Sequence, residues 1–170
     1  MKIRATVAVL LLYVFTTSAQ TTEDGIKAID YENYGTAKRI FNQLIRQNPL
    51  DAKNYYYLGQ SLNWLGQLDS ARIAYSAGVA ADPKSIYNFV GLGRSFLDQN
   101  NTLKAKENFD RAQSLTSSKD ILQYVLLADA YSSGLHPNYL EAVNLLNKAI
   151  TISNKSADVY WQLGVAYEGM

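Results

Sequence analysis

A period of 34 residues runs through this chain and restricts its fold more than any single motif does. Ala37, Ala71 and Ala105 are spaced by 34 and 34. Gly25, Gly59 and Gly93 keep the same step, each twelve residues ahead of its alanine, and Pro49 and Pro83 are again 34 apart. A period of this length means stacked supersecondary units, each burying its apolar face against the next, in place of one globular core.

The copies share a pattern. An aromatic (Tyr55, Phe89, Tyr124, Tyr160) is followed by Leu and a small residue (Leu58-Gly59, Leu92-Gly93, Leu127-Ala128, Leu163-Gly164). Three residues later comes a bulky one: Leu62, Phe96, Tyr131 or Tyr167. A second segment carries Ala37, Ala71, Ala105 or Ala142. Four residues on stands Phe41, Tyr75, Phe109 or Leu146, and three beyond that Leu44, Gly78, Ala112 or Ala149. Offsets of three, four and seven put each set on one helix face. Two helices fit in each period, with Gly59 and Ala71 allowing close approach. Asp69 and Thr102 are expected to cap second helices. Asn48-Pro49 and Asp82-Pro83 are expected to end them, because a residue before proline is pushed out of the α region.

The motifs Tyr55-x-x-Leu58-Gly59-x-x-Leu62 with Ala71, Tyr75 and Pro83, and the matching run from Phe89 to Ala112, resemble the tetratricopeptide repeat family. The resemblance covers roughly residues 22–170. It implies an all-α chain, a right-handed α-solenoid of stacked helix-turn-helix repeats. The expected division is a signal peptide at 1–19, a degenerate capping repeat at 20–51, and repeats at 52–85, 86–120 and 121–156. A partial fifth occupies 157–170. Repeat one departs from the pattern, with Thr21 at the aromatic position and Asp24 where the leucine belongs, which suits a terminal unit facing water. Repeat three has Ser117 in place of the closing proline. Repeat four has a longer turn, from Ser132 to Asn138, which lengthens the alanine step to 37 without breaking the helix pair. Repeat five halts after its first helix, with Leu163 and Tyr167 in need of cover. The chain is therefore expected to be a piece of a longer protein, the other option being a partner or self-association over that face.

The start of the chain reads differently. Lys2 and Arg4 precede an apolar run from Ala5 to Phe15, and Thr16-Thr17-Ser18-Ala19 supplies small residues. This is the three-part pattern of a secretory signal, with cleavage expected after Ala19. The run is shorter than the roughly 20 residues a membrane span needs. The expected location is the periplasm or cell envelope of a bacterium. No cysteine follows the run, which argues against a lipoprotein anchor. Without Lys2 and Arg4 the 16 basic residues fall to 14 against 15 acidic, a net charge of −1. Nothing in that balance attracts nucleic acid or an anionic membrane. With zero cysteines, stability must come from repeat stacking alone.

Chemical motifs are sparse, and the chain is not expected to be an enzyme or to hold a cofactor or metal. The single histidine, His136, falls in the repeat-four turn, where a solvated loop residue is the plainer meaning. One His and no Cys do not make a zinc site. No phosphate-loop or nucleophile-elbow string occurs. Gly91-Leu92-Gly93 is explained by helix packing. Asp98, Glu107, Asp110 and Asp129 are scattered over positions that face water or a groove, with no acid–base pair among them. Asn100-Asn101-Thr102 and Asn154-Lys155-Ser156 match the N-glycosylation string but are also plain turns before helices. Asp69-Ser70-Ala71 resembles the O-glycosylation sequon of Bacteroidetes envelope proteins, but as helix-cap residues they need no such explanation.

By resemblance, first helices line a concave face with positions two, five, nine and twelve of each repeat. Those are Lys53, Tyr56, Gln60 and Asn63 in repeat two, Tyr87, Val90, Arg94 and Leu97 in repeat three, and Leu122, Val125, Asp129 and Ser132 in repeat four. Repeat five adds Trp161. Aromatics, amides and single charges suit an extended peptide, unless Tyr56 and Tyr87 only pad the packing between repeats. The lysine and asparagine clamp by which some members hold a C-terminal carboxylate is not matched, since Arg94 is the only basic groove residue in repeats three to five. The implied function is a protein- or peptide-binding scaffold for complex assembly in the envelope. Two alternatives are the N-terminal sensor region of a histidine kinase or transcription regulator, and an envelope glycan-uptake component.

Overall fold

The computed structural model describes residues 20–133 and 137–170; the expected signal segment and His136 lie outside them. The described residues form nine α-helices and no strand: α1 (Thr22–Asp30), α2 (Tyr34–Gln47), α3 (Ala52–Trp64), α4 (Leu68–Ala81), α5 (Ile86–Asp98), α6 (Thr102–Leu115), α7 (Ile121–Ser132), α8 (Tyr139–Ile152) and α9 (Ala157–Glu168). Odd-numbered helices are the first of each pair and even-numbered ones the second. Each helix packs on its sequence neighbours, α5 and α6 included, and the stack is an all-helical solenoid.

The period is written into the turns. Glu32, Gly66 and Asn100 all adopt left-handed backbone, with φ of 56°, 71° and 57°. Each sits just past a first helix and completes a Schellman motif. Around Gly66, its N–H donates to Asn63 O at 2.9 Å and that of Gln67 to Leu62 O at 2.9 Å. Around Asn100 the same pair of bonds runs to Leu97 and Phe96, and around Glu32 to Ile29 and Ala28. The residue that closes one helix also opens the next. Asn33 and Asn101 accept from Thr36 N at 3.3 Å and Lys104 N at 3.1 Å. This corrects the expected caps. Thr102 is the first residue of α6, behind the cap Asn101. Asp69 lies inside α4, whose cap Gln67 makes no side-chain bond, and pairs instead with Arg72 at 3.0 Å. The prolines act as expected: α2 and α4 end at Gln47 and Ala81, and Asn48 and Asp82 leave the helical region at φ −137° and −143°.

Repeat one explains its own departures from the motif. Thr21 caps α1, accepting from Asp24 N at 3.2 Å, while the Asp24 carboxylate accepts from Thr21 N at 3.0 Å. The two off-pattern residues thus form a capping box. Those bonds hold the Asp24 carboxyl below its ordinary value of 3.8. In repeat four the longer turn leaves α7 at Ser133, and its far end is tied back by Asn138 N donating to Tyr131 O at 2.7 Å. The α7–α8 pair stays packed.

Inside the pairs, the small residues work as sockets. Ala37, Ala71, Ala105 and Ala142 are fully buried. A Cβ added at Gly25, Gly59 or Gly93 would run into the ring of Phe41, Tyr75 or Phe109 respectively. Tyr75 is gripped twice, because Gly91 of the next repeat abuts the same ring. Two buried asparagines tie adjacent first helices. Asn88 donates to Ala52 O at 2.8 Å and Ser85 Oγ at 3.0 Å, while Asn54 Oδ1 accepts from Thr22 Oγ1 at 3.0 Å. These buried bonds between units fix the angle that apolar packing alone leaves loose, although Asn88 Oδ1 itself is buried without a partner.

Candidate partner-binding groove

The two layers of the stack are unequal. First helices touch across repeats, α1 with α3, α3 with α5, α5 with α7 and α7 with α9. The second helices α2, α4, α6 and α8 stand further apart: among the described residues their backbones make no close approach to one another, and α6 and α8 meet through a side-chain bond, Gln113 Nε2 donating to Glu141 Oε1 at 3.3 Å. A stack whose rows are spaced in this way curves toward the closer row. The first helices therefore line the concave side, and their outward residues make the groove.

The groove residues expected from sequence divide into three groups. Lys53, Leu122 and Trp161 are well exposed, Trp161 at 68%. Lys53 Nζ lies 5.9 Å from the Tyr57 ring. Gln60, Asn63, Tyr87, Arg94, Asp129 and Ser132 are half-buried. Val90, Val125, Leu97 and Tyr56 are buried. Val90 is at 0% exposure and offers no surface to a partner, because the close approach of neighbouring first helices closes over it. Tyr56 is at 5%, its ring among those of Tyr57, Tyr75 and Tyr87 with centroids 5.3–6.0 Å away. Packing between repeats is its main role, as it partly is for Tyr87. Burial pushes the Tyr56 and Tyr75 phenols well above the ordinary tyrosine range, so both stay neutral.

Arg94 also differs from expectation. Its Nη2 donates to Asp129 Oδ2 at 2.8 Å and to Ser133 Oγ at 2.6 Å. The only basic groove residue expected in repeats three to five is thus a bridge from repeat three to repeat four.

The structure brings part of the set together with residues that the pattern did not point to. Tyr56, Gln60, Asn63 and Arg94 line a cleft of ≈ 410 Å³ with Trp64, Leu68, Tyr75, Gly91, Leu97, Asp98 and Ser133. The cleft lies where the first helices end, at the edge of the groove. Gln60 Nε2 donates to Tyr56 Oη at 2.9 Å, and Asn63 Nδ2 to Tyr75 Oη at 3.0 Å. Asn63 Oδ1 is buried without a partner. Trp64 is 66% exposed, with one face stacked on Tyr34 at 5.5 Å and 10°. Burial raises the Asp98 carboxyl, an effect that Arg94 opposes. Trp64 and Asp98 lie at the last residues of α3 and α5, past the four positions that the family pattern assigns to the groove. An exposed tryptophan beside a helix end was the available signal.

A second cleft of ≈ 390 Å³ lies between α6 and α8, with Phe109, Gln113, Tyr131 and Glu141 in its walls. Burial pushes the Tyr131 phenol up to about 12. Among the described residues no three His, Cys, Asp or Glu side chains gather as metal ligands. No helix there is long and apolar enough to cross a membrane.

Comparison with known proteins adds to this geometry. A family profile described as "Tetratricopeptide repeat" matches residues 25–86, and one described as "TPR repeat" matches 138–170. "Tetratricopeptide repeat protein 1" of Schizosaccharomyces pombe is 27% identical over 129 residues. That stretch is 74% of this chain and 12% of the relative, so the chain spans a small part of it. A thermophilic TPR protein of Thermus thermophilus superposes with a TM-score of 0.68 at 16% identity. The match covers 88% of this chain and 80% of that one. The APC/C hetero-tetramer Cut9–Hcn1 contains a chain matched at 0.62 and 18% identity, over 87% of this chain and 28% of that one.

Proposed function

The chain belongs to the tetratricopeptide repeat family, and from that premise we propose that it is a scaffold that binds a protein partner in extended form along its concave face. Tetratricopeptide repeats generally mediate contacts between proteins. The observation that carries the proposal is the unequal spacing of the two layers, which makes one continuous concavity from α3 to α9. Exposed Lys53, Leu122 and Trp161, with half-buried Gln60, Asn63 and Asp129 between them, supply contact area and hydrogen-bonding groups for an extended chain. Assembly into a larger complex is the matching biological role, as for the relative found in a hetero-tetramer.

The place of action in this reading is the bacterial envelope, after export. Lys2 and Arg4, the apolar run to Phe15 and the small residues up to Ala19 support it.

The test is site-specific photocrosslinking in the source cell. A crosslinking residue is placed singly at Lys53, Leu122 or Trp161 on the concave side, and at Ile73, Leu103 or Lys148 on second helices. All six are exposed. The expected result is an adduct to one protein from the concave positions. Adducts from the second-helix positions alone would overturn the groove assignment.

A further inference from the structure

We propose that the cleft at the end of α3 and α5 takes a basic side chain, lysine or arginine, of the bound partner, with its charge at Asp98 and its stem along Trp64. The inference rests on the groove reading above and adds a partner chemistry to it.

The argument is an account of donors and acceptors. The one cation among the lining residues, Arg94, is committed to Asp129 and Ser133 at 2.8 and 2.6 Å. Each lining amide has committed one N–H to a tyrosine hydroxyl, Gln60 to Tyr56 and Asn63 to Tyr75. Each amide keeps one N–H and its carbonyl oxygen, that of Asn63 being buried without a partner. Asp98 contributes a carboxylate that stays exposed and is raised by the partial desolvation it does undergo, so a counter-charge beside it is favourable. Arg94, Asp98 and Asp129 together carry a net charge of −1. With Arg94 neutralised by Asp129, the charge left uncompensated in the cleft is the Asp98 carboxylate, and the cleft is short of a positive charge.

The wall supplies the rest. A lysine or arginine stem is apolar and several methylenes long, and it lies well against an aromatic face while its head reaches polar groups. Trp64 offers such a face. Tyr34, stacked on the other side, holds the ring in place, and Leu68 extends the apolar wall. A volume of ≈ 410 Å³ admits one long side chain of a peptide whose backbone runs along the groove. A partner carboxylate fits poorly, since Arg94 is already paired and Asp98 would repel it.

The experiment is an NMR titration of the isotope-labelled protein with four blocked tripeptides, acetyl-Ala-X-Ala-amide, where X is Arg, Lys, Gln or Glu. The expected result is that the Arg and Lys peptides, at millimolar concentration, shift the Trp64 indole and the side-chain amides of Gln60 and Asn63. The Gln and Glu peptides leave those signals in place. Asp98→Asn, an exposed and nearly isosteric change, should weaken the Arg peptide by about tenfold, the loss of one charge-assisted hydrogen bond. Trp64→Ala should weaken Arg and Lys alike. Equal shifts with Gln or Glu, an unchanged affinity in Asp98→Asn, or no shift with any peptide would each overturn the proposal. Shifts confined to the signals of Lys53, Leu122 or Trp161 would overturn it while leaving the wider groove reading intact. Crosslinks from second helices alone would remove the wider reading whatever the cleft does.

Discussion

One substitution placed at two equivalent positions should change stability in opposite directions. Gly59 and Gly164 hold the same place in repeats two and five, each directly after the motif leucine. Both lie inside helices, where alanine is favoured over glycine by about 0.5–1 kcal/mol. At Gly164 an added Cβ meets nothing within 4 Å, so Gly164→Ala should realise that gain. At Gly59 the same Cβ would fall 2.5 Å from Cζ and 2.7 Å from Cδ1 of Tyr75. The ring has nowhere to go. It is 2% exposed, Gly91 abuts it from the next repeat, and its hydroxyl is held by Asn63. Overpacking of this kind costs about 1–3 kcal/mol, which exceeds the helix gain, so Gly59→Ala should be destabilising by about 1–2 kcal/mol. For a domain of this size 1 kcal/mol moves the melting midpoint by about 2–4 °C. The assay is urea and thermal unfolding followed by circular dichroism and by fluorescence. The two tryptophans, Trp64 in α3 and Trp161 in α9, report on the two sites separately. A shift of the same sign in both variants would refute the socket argument, and with it the register on which the repeat assignment stands.

Two further outcomes follow from the turns and the first cap. Glu32 is an exposed non-glycine residue at φ 56°, so Glu32→Gly should raise stability by about 1 kcal/mol in chemical denaturation, while Glu32→Ala should not. Thr21→Ala should loosen α1 by about 1 kcal/mol, read as faster amide hydrogen exchange from Glu23 to Ala28. Because the folded Asp24 carboxyl is held below 3.8, the capping box is fully present above that pH and is lost as pH falls through the lower folded value. Protection of α1 should therefore drop in that acidic window in the parent and less so in Asp24→Asn.

The fold class was readable because the period is carried by residues whose reason is steric. Gly59 and Ala71 are small where Tyr75 is large, and no other arrangement of the chain explains all of them every 34 residues. The caps were less readable. Gln67 and Asn101 close one helix and open the next, and the sequence marks such double use only weakly, so Asp69 and Thr102 took their place in the expectation. The groove was the least readable part. Whether Tyr56 and Val90 face a partner or a neighbour depends on how closely first helices stack, which is a distance between units and leaves no mark on either residue. The bond from Arg94 to Asp129 spans 35 residues, and nothing local to either one announces it. Trp64 and Asp98 lay outside the positions that the family pattern names.

The unequal spacing of the two rows has a mechanical meaning. The inner row is in backbone contact from α1 to α9, whereas the backbones of the outer helices α2, α4, α6 and α8 stand further from one another. Tightening the curve would drive the inner side chains into one another, against steep repulsion, and would be resisted at once. Straightening it would bring the outer helices toward each other through space spanned between α6 and α8 by a single flexible side-chain bond, Gln113 to Glu141. The spring is thus stiff in one sense and soft in the other: it opens more readily than it closes, about an inner seam laced by Asn54, Asn88 and Arg94.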